Sequence, residues 1–78
     1  MENKTIRRNL YRVLRKTGVQ KQDIDLNASY SKDLAFDHTD WLVFTYYLEN
    51  IFNIHLDDRE LNRMKRINDT LKILKNSA

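Results

Sequence analysis

Between residues 3 and 16 apolar side chains return at helical spacing: Ile6, Leu10, Val13 and Leu14, with Thr17 next in the series. Arg7, Arg8, Arg12, Arg15 and Lys16 occupy the other faces. This pattern predicts an amphipathic helix, and Gly18 stands where a left-handed cap would end it. The periodicity then lapses. Through "VQKQDIDLNASYSKDLAFD" no spacing of 3.6 is sustained, although Val19, Ile24, Leu26, Tyr30 and Leu34 suit the anchoring of a long loop to a core. A structureless loop of this length is uncommon in a compact domain and is often functional.

Period 3.6 resumes after Asp37, a good N-cap, and Asp40 adds negative charge to the first turn. Trp41, Leu42, Phe44, Tyr46, Tyr47, Leu48, Ile51 and Phe52 cover more than one face, so the predicted helix over about 38–52 is expected to be central. "NIHLDD" ends it. Asp57 or Asp58 can cap a short helix from Arg59 to Arg63, and Asn68 or Asp69 can start a last one with Leu71 and Leu74 facing inward. The expected fold is all-α: one domain over residues 1–78, a small four-helix bundle with a long loop between helices one and two and a short third helix. Leu10, Leu14, Phe44, Leu48, Phe52, Ile67 and Leu71 are its expected core.

Composition agrees with helices: one glycine, no proline, and many Leu, Ile, Lys and Arg. The absence of cysteine excludes disulfides and thiolate metal sites. The first ten residues hold no apolar run of signal-peptide length, and no stretch approaches the roughly 20 apolar residues of a membrane span. A cytoplasmic monomer is the expectation. The net charge of +3 is segmented. Residues 1–26 carry seven basic and three acidic side chains, residues 27–60 two and seven, and residues 61–78 five and one. An acidic middle between basic ends argues against a uniformly basic nucleic-acid-binding surface.

The ordered pieces of this sequence resemble the acyl carrier protein family over nearly the whole chain. Gly18 and Val19 match the end of that family's first helix. Asn27, Ala28, Ser29 and Tyr30 match its Asn-Ala-Ser-Phe, and Asp33, Leu34, Asp37 and Asp40 match its Asp-Leu-Gly-Ala-Asp-Ser-Leu-Asp. Leu48, Glu49, Phe52, Leu56, Asp58, Met64 and Ile67 follow in the matching places, with no gap from Gly18 to Leu74. The resemblance implies a non-enzymatic domain related to carriers of fatty acid, polyketide or lipid synthesis. In working carriers the serine of that motif bears phosphopantetheine.

Here the register puts His38 on the serine and Thr39 on the leucine, with Ala35 and Phe36 in place of Gly-Ala. Histidine has no hydroxyl to form the phosphodiester, so no prosthetic group or other cofactor is expected. Thr39 offers a hydroxyl one position on, rotated by about 100° around the helix. Attachment there, or at Ser29 or Ser31, is the alternative in which the chain still carries cargo. As an acid, base or nucleophile His38 lacks a visible partner set, and no catalytic residue is assigned. What remains is docking on a protein partner (a synthase, acyltransferase or scaffold) through Asp37, Asp40, Trp41, Val43 and Glu49. Trp41 is either an exposed anchor or partly buried.

Three further readings are weaker. His38 and His55 each have aspartates nearby, but seventeen mostly helical residues put them about 25 Å apart, too far to share a metal ion. The aromatic residues Trp41, Phe44, Tyr46, Tyr47 and Phe52 suit a core better than an acyl-lined cavity. The basic side chains of the first helix, Lys4 included and Glu2 its sole acid, suit phosphates or anionic lipid headgroups, yet charged outer faces are ordinary for a solvated helix.

Overall fold

The computed structural model describes residues 3–77, with side chains through Asn76. Among these residues the chain forms four α-helices: α1 (Asn3–Thr17), α2 (His38–Phe52), α3 (Asp58–Arg63) and α4 (Ile67–Ser77). The architecture is the expected all-α bundle with a short third helix. α1 packs on both α2 and α4.

α1 buries one stripe, Ile6, Leu10, Val13 and Leu14, to 1% exposure or less. It closes in a Schellman turn. Gly18 has φ +111°, its N–H donates to the Arg15 carbonyl at 3.1 Å, and the Val19 N–H donates to Leu14 at 3.0 Å. α2 begins on a reciprocal capping box. Asp40 N–H donates to the Asp37 carboxylate at 2.8 Å, and Asp37 N–H donates to the Asp40 carboxylate at 3.0 Å. It ends at Asn53, whose left-handed φ of +53° lets Ile54 N–H reach the Glu49 carbonyl at 3.1 Å. Asp57 and Glu60 form the same kind of box at α3, which starts at Asp58, one residue before the expected Arg59.

The last helix starts at Ile67, ahead of the expected Asn68 or Asp69. Asp69 does not stand at the cap position. It sits inside the first turn and reaches back, accepting from Arg66 N–H at 2.9 Å and Lys65 N–H at 3.2 Å.

The long connection is not structureless. It contains a 3-10 turn at Lys21–Asp23 and a self-capped turn in which Asp33 accepts from Ser29 N–H at 2.7 Å and Ser29 Oγ accepts from Lys32 N–H at 2.9 Å. Its middle runs antiparallel to the α3–α4 link. Tyr30 N–H donates to Lys65, Ile67 N–H to Ala28, and Asn68 N–H to Leu26. These bonds satisfy backbone groups that a buried loop would otherwise leave unpaired. Tyr30, 1% exposed, then enters the core, its ring centroid 5.3 Å from that of Phe44.

All seven expected core residues are buried. α2, however, is central on one side only. Leu42 is 58% exposed, Val43 36% and Tyr46 65%, so the apolar residues that run around this helix do not all meet protein.

Candidate functional site

The start of α2 is where the sequence concentrates its candidate residues. His38 is the first helical residue, directly behind the Asp37 cap, and it is exposed. Its ring makes no hydrogen bond among the described residues and stands at the rim of an open groove of about 560 Å³. α2 lines the groove with His38, Trp41, Leu42 and Thr45, which fall on one face at helical spacing. Tyr30 and Ser31 from the long connection and Leu61 and Met64 from α3 and its end also line it.

The floor behind this groove is aromatic. Tyr30, Phe36, Trp41 and Phe44 pack so that all six ring pairs have centroids between 4.9 and 6.0 Å apart, tilted or edge-on. Such geometries add about 0.5–1.5 kcal/mol per pair beyond area burial. Trp41 is therefore half-buried, held by three rings, and presents only part of its indole to the groove. Phe36 also belongs to this cluster, packed on the core.

The other docking candidates divide by what holds them. Asp37 is exposed, and Asp40 is half-buried with its carboxylate engaged in the capping box. Glu49 lies nine residues beyond Asp40, about two and a half turns further on. One of its oxygens accepts from Leu56 N–H at 2.8 Å and lies 3.2 Å from His55 Nδ1, so it braces the turn after α2. Val43 stands away from the groove. On an α-helix it is rotated about 200° from Trp41, so these two residues do not share a face.

Tyr46, Thr39 and Asn50 share Val43's side by helical rotation, and Leu42, which lines the edge of the groove, stands between the two sides, about 100° from both Trp41 and Val43. Leu42, Val43 and Tyr46 are the exposed large apolar residues among those described, and together they make a strip along the first half of α2. The sequence pattern set Leu42 and Tyr46 in a central helix, and Tyr46 among the aromatics suited to a core; both are instead exposed, at 58% and 65%. Their i, i+4 spacing sets them on one side of the helix and Phe44 and Leu48 on the opposite side, but both pairs are apolar, so spacing alone does not say which side is buried.

The hydroxyls differ in access. Ser29 is buried and its Oγ holds the loop turn, whereas Ser31 and Thr39 are exposed. No three His, Asp or Glu side chains converge as a metal site among the described residues. Likewise, no described helix is long and apolar enough to cross a membrane.

No protein-family model matches the chain.

Proposed function

We propose that this chain is a non-catalytic, acyl-carrier-like docking module that works without a phosphopantetheine group. It acts as a cytoplasmic monomer on a protein partner: a synthase, an acyltransferase or a scaffold. The observation that carries the reading is His38. It is exposed at the first position of α2, immediately after the Asp37 cap, and it has no hydroxyl to esterify. In the resemblance this is the attachment position.

The exposed strip of Leu42, Val43 and Tyr46 supports docking in place of carriage. Solvated apolar side chains so close together gain free energy when a partner covers them, on the order of 25 cal/mol per Å² of apolar surface. Asp37 and Asp40 stand at the head of the same helix and favour a partner with basic residues around an apolar contact.

The test is capture from nuclease-treated lysate of the native host, with the bound protein identified. Leu42→Asp combined with Tyr46→Asp is expected to abolish capture of a synthase, acyltransferase or scaffold protein while helicity is unchanged. These positions are better probes than Trp41 and Asp40, which also hold the fold together. Capture that survives the double variant but is lost on charge reversal of Arg8 and Arg12 would move the interaction to α1.

A further inference from the structure

The outer half of α1 carries Lys4, Arg7, Arg8, Arg12, Arg15 and Lys16, and all six are exposed. At about 100° and 1.5 Å per residue they fan over roughly half the helix circumference and along about 18 Å of its axis. Glu2 lies outside the described residues. Within them, no lysine or arginine of α1 forms an ion pair with a carboxylate, and Lys16 Nζ rests 5.5 Å from the centre of the Tyr47 ring.

None of the carboxylates of the acidic middle pairs with α1 among the described residues: Asp58 is exposed, and the other six are engaged in caps and turns. Asp33, Asp37, Asp40, Glu49, Asp57 and Glu60 each accept a hydrogen bond from a backbone N–H in a cap or turn. The charge on α1 is thus not offset by contact from within the fold. It is an ordered, one-signed face awaiting an anion.

We propose that this face is a second binding surface, separate from the start of α2, for the phosphodiester backbone of duplex nucleic acid, bound without regard to sequence. Four of the six cations are arginine, whose planar guanidinium meets phosphate oxygens in pairs. Their fan suits two phosphate rails better than a plane. Arg7 lies on one flank, Arg12 and Lys16 on the other, and Lys4, Arg8 and Arg15 between, where long flexible stems let their charged heads swing to a phosphate on either side; the major groove of B-form DNA is about 12 Å wide and admits a helix.

A lipid surface fits less well. Interfacial helices bury an apolar face in the headgroup boundary. The apolar face of α1 is already covered, with Ile6, Leu10, Val13 and Leu14 at 1% exposure or less, and none of the exposed large apolar residues lies on this helix.

The experiment is fluorescence anisotropy of a labelled mixed-sequence DNA duplex with the full chain, across a salt series. Engagement of five or six phosphates predicts a slope of log affinity on log salt of about −5, a loss of roughly 10³-fold between about 50 and 200 mM. Arg8→Gln/Arg12→Gln/Arg15→Gln is expected to weaken binding at least about thirtyfold at low salt and reduce the slope by about 3. Lys21→Gln/Lys32→Gln/Arg63→Gln removes the same charge from exposed positions elsewhere and is expected to stay within about threefold of the unmodified chain. Circular dichroism checks that both variants keep their helices. No binding at low salt, or equal loss in the two triple variants, overturns the proposal. Tighter capture by phosphatidylserine-containing vesicles than by the duplex, lost in the same α1 variant, also overturns it and assigns the face to anionic lipid.

Discussion

Tyr30 Oη lies 2.6 Å from Thr70 Oγ1, and both side chains are buried, 1% and 0% exposed. This hydrogen bond joins the middle of the long connection to α4 across forty residues of sequence. Tyr30 also touches Phe36, Trp41 and Phe44, so the same side chain braces the aromatic cluster beside the groove. Removing one hydroxyl leaves the other buried without a partner. Tyr30→Phe is expected to cost about 1–3 kcal/mol in urea unfolding, and Tyr30→Phe/Thr70→Val to recover much of that loss, since two apolar groups need no partner.

Tyr30 also predicts an alkaline limit. Burial pushes its phenol well above the ordinary value of 10.0, because the phenolate would lie in the core; the hydrogen bond from Thr70 opposes this, and the Asp69 charge adds to it. A pKa raised on folding means that the folded state holds the proton more tightly. The contribution is fully present below about pH 10, where the unfolded phenol begins to ionise, and is lost as pH rises above that. Stability measured from pH 8 to 11 should fall at the alkaline end, and Tyr30→Phe should flatten that fall.

Ala35 takes a left-handed φ of +52°, at the place where the resembling family has glycine. A Cβ in that region costs about 1–2 kcal/mol, partly offset in a glycine variant by the larger entropy of its unfolded chain. Ala35→Gly is expected to raise the urea midpoint, with a net gain of about 0.5–1 kcal/mol. No gain would mean that the turn before α2 is relaxed as it stands.

Phe52 is 7% exposed at the end of α2. Phe52→Ala is expected to cost about 3–5 kcal/mol by leaving a cavity, enough to unfold much of the population in a domain of marginal stability. A cost below about 1 kcal/mol, by chemical unfolding, would contradict its place in the core.

Much of this fold was readable from residue types at fixed spacing. Ile6, Leu10, Val13 and Leu14 repeat on one face, Gly18 is the residue that accepts φ +111°, and Asp37 is an N-cap one residue ahead of the helix it starts. What was not readable depends on partners distant in sequence or on choosing between faces. α2 is apolar nearly all round, so periodicity alone does not say that Phe44 and Leu48 turn inward while Leu42 and Tyr46 remain in water. Glu49 looked like free surface charge, but its hydrogen bond runs seven residues on to Leu56 N–H. Asn68 or Asp69 was the expected start of the last helix, but it starts at Ile67, and Asp69 acts from inside the first turn, its carboxylate reaching back to residues 65 and 66. Trp41 was balanced between anchor and core, and the rings of Tyr30 and Phe36, both in the aperiodic loop, hold it half-buried.

The central claim is that the start of α2 works without a prosthetic group, and intact mass tests it most directly. The purified chain would be incubated with coenzyme A and a broad-range phosphopantetheinyl transferase, beside His38→Ser and an active carrier as positive control. The account predicts that the chain keeps its polypeptide mass while the control is modified. Partial modification of His38→Ser would locate the block in the missing hydroxyl; none would locate it also in the remodelled surroundings of Phe36 and Thr39. A gain of one phosphopantetheine by the unaltered chain, mapped to Thr39, Ser31 or any other hydroxyl, would contradict the account and make the protein a carrier.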